Sequence, residues 1–178
     1  MYLFYSDYYR LCRLRSLRRQ LGRDVTARLV SALVLSRLDY CNAIFVGQSQ
    51  TTLSSLQRVL HAAARMVLNL RPRDHVTPAL LELHWLPIAE RINFKLCLLV
   101  HKALVGHAPQ YIADLITPVA DLPSRVSLRT ALSGDLYVPR TCRKFGDRAF
   151  AIAAPRMWKS TYWHQIPPDD DNIFQTLS

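Results

Sequence analysis

The segment 51–70, TTLSSLQRVLHAAARMVLNL, decides the fold class because its apolar side chains recur at the spacing of an α-helix. The apolar stripe consists of Leu53, Leu56, Leu60, Ala63 and Val67. Arg58 and Arg65 fall on the opposite side, which makes the helix amphipathic. We therefore predict a helix that Thr51 or Thr52 caps and that packs its leucine stripe into a core.

The flanking segments repeat this helical pattern and contain few residues that break helices. Five glycines in 178 residues favour helices over a turn-rich β fold. Further helices are predicted at about 8–22, 25–45, 77–84, 87–105 and 109–116. Asp24 and Thr77 are predicted to cap two of them. The sequence thus predicts a mainly α protein, a bundle of about five to six helices with a small irregular or β-containing C-terminal part.

Shifts in composition divide the chain into four predicted regions. They are a helical domain at 1–116, a linker or long loop at 117–135, a small C-terminal subregion at 136–164 and a flexible tail at 165–178. Pro, Ser, Asp and Arg interrupt the apolar pattern of the second region. In the third region, 136–139 is predicted to be extended, and periodicity leaves open whether 149–153 is a strand or a short helix.

The predicted core draws on large apolar side chains from several helices. It includes Leu33, Leu60, Trp85, Leu96 and Leu99. Trp85 stands between two predicted helices, just before Leu86 and the helix-opening Pro87. A buried anchor at a tight corner is the favoured interpretation of this tryptophan, with stacking on a nucleic-acid base as the alternative.

The charge of the chain points to polyanionic partners. The formal net charge is +10 and the isoelectric point is about 9.9. Nucleic acid is the first candidate, an acidic membrane surface the second, and a charge that serves only solubility the third. The basic residues at helical spacing are Arg15, Arg19 and Arg23, then Arg58 and Arg65, then Arg91, Lys95 and Lys102. They predict weak, sequence-independent binding of RNA and DNA phosphates.

No pattern of reactive residues predicts a catalytic, metal or cofactor site. Cys12, Cys41, Cys97 and Cys142 are widely spaced, so neither a disulfide scaffold nor a zinc site is expected. The acidic triplet 169–171 follows two prolines near the end of the chain and lacks the rigidity of a two-metal site. Spacing alone leaves Cys-His and Ser-His pairs open.

The sequence also bears on where the protein resides. The N-terminal aromatic stretch is interrupted by Asp7 and followed by Arg10 and Arg13, unlike a signal peptide. No apolar run is long and uncharged enough to cross a bilayer. We expect an intracellular protein, nuclear or cytoplasmic, that is neither secreted nor bound to a membrane.

Short sequence motifs in a fixed order make the chain resemble a known family. They are SRLDYCN at 36–42, AAAR at 62–65, DHVTP at 74–78, LHWLP at 83–87, RINFK at 91–95, HKAL at 101–104, VPR at 138–140, GDRAF at 146–150 and APRMW at 154–158. Their order and spacing resemble the C-terminal region of LINE-type, non-LTR retrotransposon reverse transcriptases of the Jockey-like group. The resemblance spans roughly Tyr9 to Trp158.

The resemblance implies a thumb-like helical region that holds template and primer downstream of the polymerase palm. The catalytic aspartates and the endonuclease domain of that family lie upstream of such a segment, so it implies a non-catalytic fragment of an RNA-directed DNA polymerase. After Trp158 the chain departs from the family pattern, which suggests truncation or frameshift decay. The alternative is therefore a relic of a decayed element, a helical structural domain with no selected activity.

Overall fold

The computed structural model describes residues 2–40, 42–122, 135–143 and 145–160. These residues are mainly helical, which confirms the predicted fold class. The chain separates into two compact units, Met1–Ile92 and Asn93–Ser178, here called the N-terminal and C-terminal units. The division lies inside one continuous helix, Ile88–Leu104. Residues 123–134 and 161–178 lie outside the described part, so the predicted linker, the tail and its acidic triplet stay predictions.

The N-terminal unit opens with helix α1, Tyr2–Val30, which is broken at one glycine. Gly22 has φ 71° and ψ 178°, a conformation that side-chain-bearing residues rarely adopt. The hydroxyl of Thr26 donates a hydrogen bond back to the carbonyl of Gly22. Two predicted helices therefore meet at a break that glycine permits.

The predicted helix at 25–45 is not continuous. A π-helical turn, Ser31–Leu35, leads into the short helix α2, Ser36–Asp39, and a 3₁₀ turn follows at Asn42–Phe45. The π-turn adds one residue to the helical repeat and directs Val34 into the core. Leu33 is consequently 37% exposed, so its prediction as a core residue is wrong.

Helix α3, Gln50–Leu68, packs against α1 and forms the centre of the N-terminal unit. Ser49 caps it by accepting a hydrogen bond from the Thr52 amide, so the prediction of Thr51 or Thr52 as the cap is wrong. The buried residues of α3 are Leu56, Val59, Leu60, Ala63, Ala64, Met66 and Val67. Leu60 is fully buried, as predicted from the leucine stripe.

Helix α4, Thr77–Glu82, starts at the predicted residue without the predicted cap. Val76 occupies the cap position, and no side chain that the structure describes caps the helix, so the predicted role of Thr77 is wrong. At the other end His84 adopts a left-handed conformation with φ 54°. The amide of Trp85 then donates to the Leu80 carbonyl at 2.8 Å, which closes a Schellman motif.

Trp85 and the core leucines of the next helix differ in burial. Trp85 is only half-buried, so its prediction as a buried core anchor is wrong. Its backbone amide instead completes the C-terminal cap of α4. Helix α5, Ile88–Leu104, crosses the division between the units. Leu96 is buried as predicted, whereas Leu99 is half-buried.

The described part of the C-terminal unit continues with α6, Gln110–Ala113, and ends with α7, Phe150–Ser160. An isolated antiparallel bridge joins Pro118 and Leu136, consistent with the predicted extended backbone there. Because α7 includes 150–153, the open choice between strand and helix is decided in favour of a helix. None of the helices in the described ranges has the length and apolarity required to span a bilayer.

Candidate nucleic-acid interface

A cleft of about 460 Å³ lies between α1 and α3 in the N-terminal unit. From α1 it is lined by Tyr8, Leu11, Cys12, Arg15, Arg18 and Arg19. From α3 and the turn after it come Ala62, Arg65, Met66, Asn69, Leu70 and Pro72. Four of these residues are arginines and none is a carboxylate. We call this feature the arginine cleft.

The helical repeat explains why arginines line the cleft. Leu11 and Leu14 are buried, and they fix the side of α1 that faces the core. Arg15 and Arg18 follow Leu11 by four and seven residues, so they emerge along the border of that buried side. Arg19, which follows Arg18 directly, lies along the same border. Three arginines on consecutive turns of α1 thus line the cleft beside α3.

Two arginines of the cleft are half-buried and weakly bonded. Arg18 donates to the Val67 carbonyl at 3.3 Å, and Arg65 donates to the Asp74 carbonyl at 3.4 Å. The Nε atoms of both guanidinium groups are buried and have no hydrogen-bond partner in the described structure. Both distances are long for an N–H···O bond. The two cations are therefore poorly satisfied by their own chain.

Arg91, a predicted nucleic-acid contact, is instead bound within the fold. Its Nη1 donates to both carboxylate oxygens of Asp39, at 2.8 and 2.6 Å, and its Nε donates to the Leu86 carbonyl at 2.8 Å. The Arg91 side chain is only 14% exposed. This geometry does not support the predicted phosphate contact, because the guanidinium group already has a carboxylate partner.

The other predicted basic residues fall at separate places. Arg15 and Arg19 are exposed in the cleft, as a phosphate contact requires. Arg23 lies outside the cleft lining and forms an ion pair with Glu82 at 2.5 Å, so the geometry does not support its predicted phosphate contact. Arg58 is exposed and binds Ser54 and Ser55 of its own helix. Lys95 and Lys102 are exposed on α5 in the C-terminal unit.

Arg18 and Tyr8 also line the cleft, and neither was predicted from the sequence as a site residue. A spacing of four residues relates Arg15, Arg19 and Arg23 and does not include Arg18. A step of three from Arg15 identifies Arg18 equally well, since both steps place side chains on one helical face. Tyr8 precedes Arg15 by seven residues and is 52% exposed.

A second cleft, of about 440 Å³, lies between α3 and the start of α5. It contains a short relay in which the Ile88 amide donates to Gln57 Oε1 at 2.9 Å. The amide nitrogen of Gln57, which must then be the donor, lies 2.7 Å from His61 Nε2. Burial, and secondarily the charge of Arg65, lower the pKa of His61. A neutral imidazole is the form that accepts this bond.

One carboxylate is enclosed near the start of α1. Asp7 is fully buried, and Oδ1 lies 3.1 Å from Nε of Arg37. Burial raises the pKa of Asp7, although the charges of Arg37 and Arg10 act in the opposite direction. Asp7 thus provides negative charge for Arg37 and Arg10, outside the arginine cleft.

Among the residues that the structure describes, no group of three or more His, Cys, Asp or Glu side chains could hold a metal ion. Cys12 and Cys142 are exposed, whereas Cys97 is buried. Comparison with known proteins gave no match to a family model, to a curated protein or to a solved structure. The geometry of the arginine cleft is therefore the basis for assigning a function.

Proposed function

We propose that this chain is a non-catalytic protein that binds the phosphate backbone of RNA and DNA, weakly and without sequence preference. The observation that carries the proposal is the arginine cleft, where four guanidinium groups from two packed helices line a space to which the described residues contribute no carboxylate. Guanidinium groups bind phosphate oxygens through paired N–H donors, and such contacts carry no sequence information.

The composition of the N-terminal unit supports a polyanionic ligand. Residues 1–92 contain 13 arginines, no lysine and six carboxylates. Arginine is the more effective of the two basic residues where planar, bidentate recognition of phosphate is needed. The positive excess is thus concentrated in the unit that holds the cleft.

The resemblance to the C-terminal region of retrotransposon reverse transcriptases implies the same class of ligand. In that setting the cleft would hold template or primer beside a polymerase palm. The alternative proposal is a relic of a decayed element, a helical domain with no selected activity. The ion pairs of Arg23 with Glu82 and of Arg91 with Asp39 favour this alternative, because they give two predicted contacts a structural role.

A salt titration distinguishes the two proposals. The affinity of the full chain for a fluorescent RNA strand is measured over a range of salt concentrations, for the parent and for Arg15→Gln/Arg19→Gln. Loss of two phosphate contacts to a single strand should reduce the slope of log K against log salt by about 1.4. Arg23→Gln is the control, since Arg23 lies on the same helix outside the cleft. Equal slopes for all three proteins would favour the relic.

A further inference from the structure

The half-buried arginines of the N-terminal unit differ in whether a carboxylate neutralises them. There are five: Arg10, Arg18, Arg37, Arg65 and Arg91. Arg91 pairs with Asp39, Arg37 lies against Asp7, and the charge of Arg10 acts on Asp7 as well. Arg18 and Arg65 form no ion pair with any residue that the structure describes. These two are the half-buried arginines that line the cleft.

A half-buried cation without a counter-charge is energetically unfavourable, because partial burial removes water that is not replaced. Arg18 and Arg65 each make one long hydrogen bond to a backbone carbonyl, and each has a buried Nε that no described residue accepts a hydrogen bond from. An anion placed between them would supply the missing charge and acceptor oxygens. Little native bonding would be lost when the two guanidinium groups turn towards it.

We infer that Arg18 and Arg65 form a binding site for a single phosphate group in the cleft, with Arg15 and Arg19 contacting the neighbouring phosphates of the same strand. The inference rests on the proposed function and adds a preference to it. A phosphate must enter a recess between two helices, which a flexible single strand can achieve more easily than a duplex. A volume of about 460 Å³ lies within the range of small-ligand pockets, roughly 300–1,000 Å³.

The cleft also offers a surface for a base. Tyr8 lines it from α1 and is 52% exposed. Aromatic rings stack on unpaired bases of any sequence, whereas bases inside a duplex are already stacked. Phosphate held by Arg18 and Arg65 with a base against Tyr8 is therefore a single-strand arrangement. The phosphate itself is either an internal diester or the terminal monoester of such a strand.

The test measures binding of three fluorescent probes to the full chain at fixed ionic strength. The probes are a short single strand, the same strand with a 5′-phosphate, and a hairpin duplex of the same bases. We expect the single strands to bind more tightly than the duplex. Arg18→Gln and Arg65→Gln should each weaken single-strand binding by about ten- to hundred-fold, the effect of losing hydrogen bonds to a charged group.

Arg28→Gln is the matched control, because Arg28 is exposed on α1, outside the cleft lining, and its loss changes the net charge equally. It should weaken binding by about twofold or less. Arg18→Lys keeps the charge but loses the planar donor pair, so it should also weaken binding. If Arg18→Gln does not fold, the single-strand affinity of Arg18→Lys relative to the parent tests the phosphate site instead. Inorganic phosphate should displace the strand from the parent more effectively than chloride at equal ionic strength, but not from Arg18→Gln.

The outcomes separate this inference from the proposed function. If Arg18→Gln, Arg65→Gln and Arg28→Gln weaken binding equally, or if the duplex binds as tightly as the strand, the phosphate site is refuted while backbone binding stands. If no probe binds the parent at low salt, the proposed function, binding of the nucleic-acid backbone, is itself refuted. An effect of Arg18→Gln confined to the 5′-phosphorylated strand identifies a terminal phosphate, and an equal effect on both strands identifies an internal diester.

Discussion

Arg91→Gln should destabilise the N-terminal unit without changing nucleic-acid binding. The substitution removes two hydrogen bonds to Asp39, at 2.8 and 2.6 Å, and one to the Leu86 carbonyl. Breaking a fully buried ion pair costs about 3–5 kcal/mol, and breaking an exposed one costs about 0–1 kcal/mol. The Arg91 side chain is 14% exposed and that of Asp39 is 43% exposed, so water can reach the abandoned carboxylate. We therefore expect a loss of about 2 kcal/mol, between those two limits.

Urea denaturation measures this loss as a lower midpoint at unchanged m-value. Arg28→Gln, which removes an exposed arginine, should change the free energy of unfolding by about 0.5 kcal/mol or less. The slope of log K against log salt should be the same for Arg91→Gln and for the parent. If Arg91→Gln keeps the parental stability and its slope falls by about 0.7 to 0.9, Arg91 is a phosphate contact and the structural interpretation is wrong.

Three further substitutions test individual features of the fold. His84→Gly should raise the free energy of unfolding by about 1 kcal/mol. His84 has φ 54°, a left-handed conformation that is unfavourable for a residue with a side chain and free of this cost for glycine. An unchanged urea midpoint would contradict the Schellman motif. The folded state holds the pKa of His61 below that of the unfolded chain, so the parent should lose stability as the pH falls below about 6.5. Urea titrations at several pH values measure this loss, and His61→Gln should remove it. Burial raises the pKa of Asp7, so the folded state binds a proton more tightly than the unfolded chain does. The parent should therefore gain stability relative to Asp7→Asn as the pH falls from about 7 towards 4. A difference in free energy of unfolding between the two proteins that does not change with pH would show that Asp7 titrates normally.

The part of the fold that could be predicted from the sequence is the part that local periodicity controls. The leucine stripe of α3 predicted that Leu60 is buried, and the same pattern in α5 predicted this for Leu96. The error at Leu33 has a local cause that periodicity does not reveal, because the π-turn shifts the buried side by one residue. The cap of α3 was misplaced because Ser49 and the two threonines that follow have similar capping propensities.

The candidate site was predictable only in outline. Helical spacing placed Arg15 and Arg19 on one face, and the structure places both in the cleft. Helical spacing could not show that Glu82 pairs with Arg23 or that Asp39 pairs with Arg91. The two partners of each pair are more than fifty residues apart in sequence and meet only through tertiary packing. That no described carboxylate pairs with Arg18 or Arg65 is likewise a property of the packed helices.

The most direct test of the arginine cleft as the nucleic-acid site is protection of individual arginines from an arginine-selective reagent. The full chain is modified with phenylglyoxal, with and without a single-stranded RNA, and each arginine is quantified by peptide mass spectrometry. Bound RNA should protect Arg15 and Arg19 and leave the exposed Arg28 as reactive as before. Equal reactivity of Arg15 and Arg19 with and without saturating RNA would contradict the central claim.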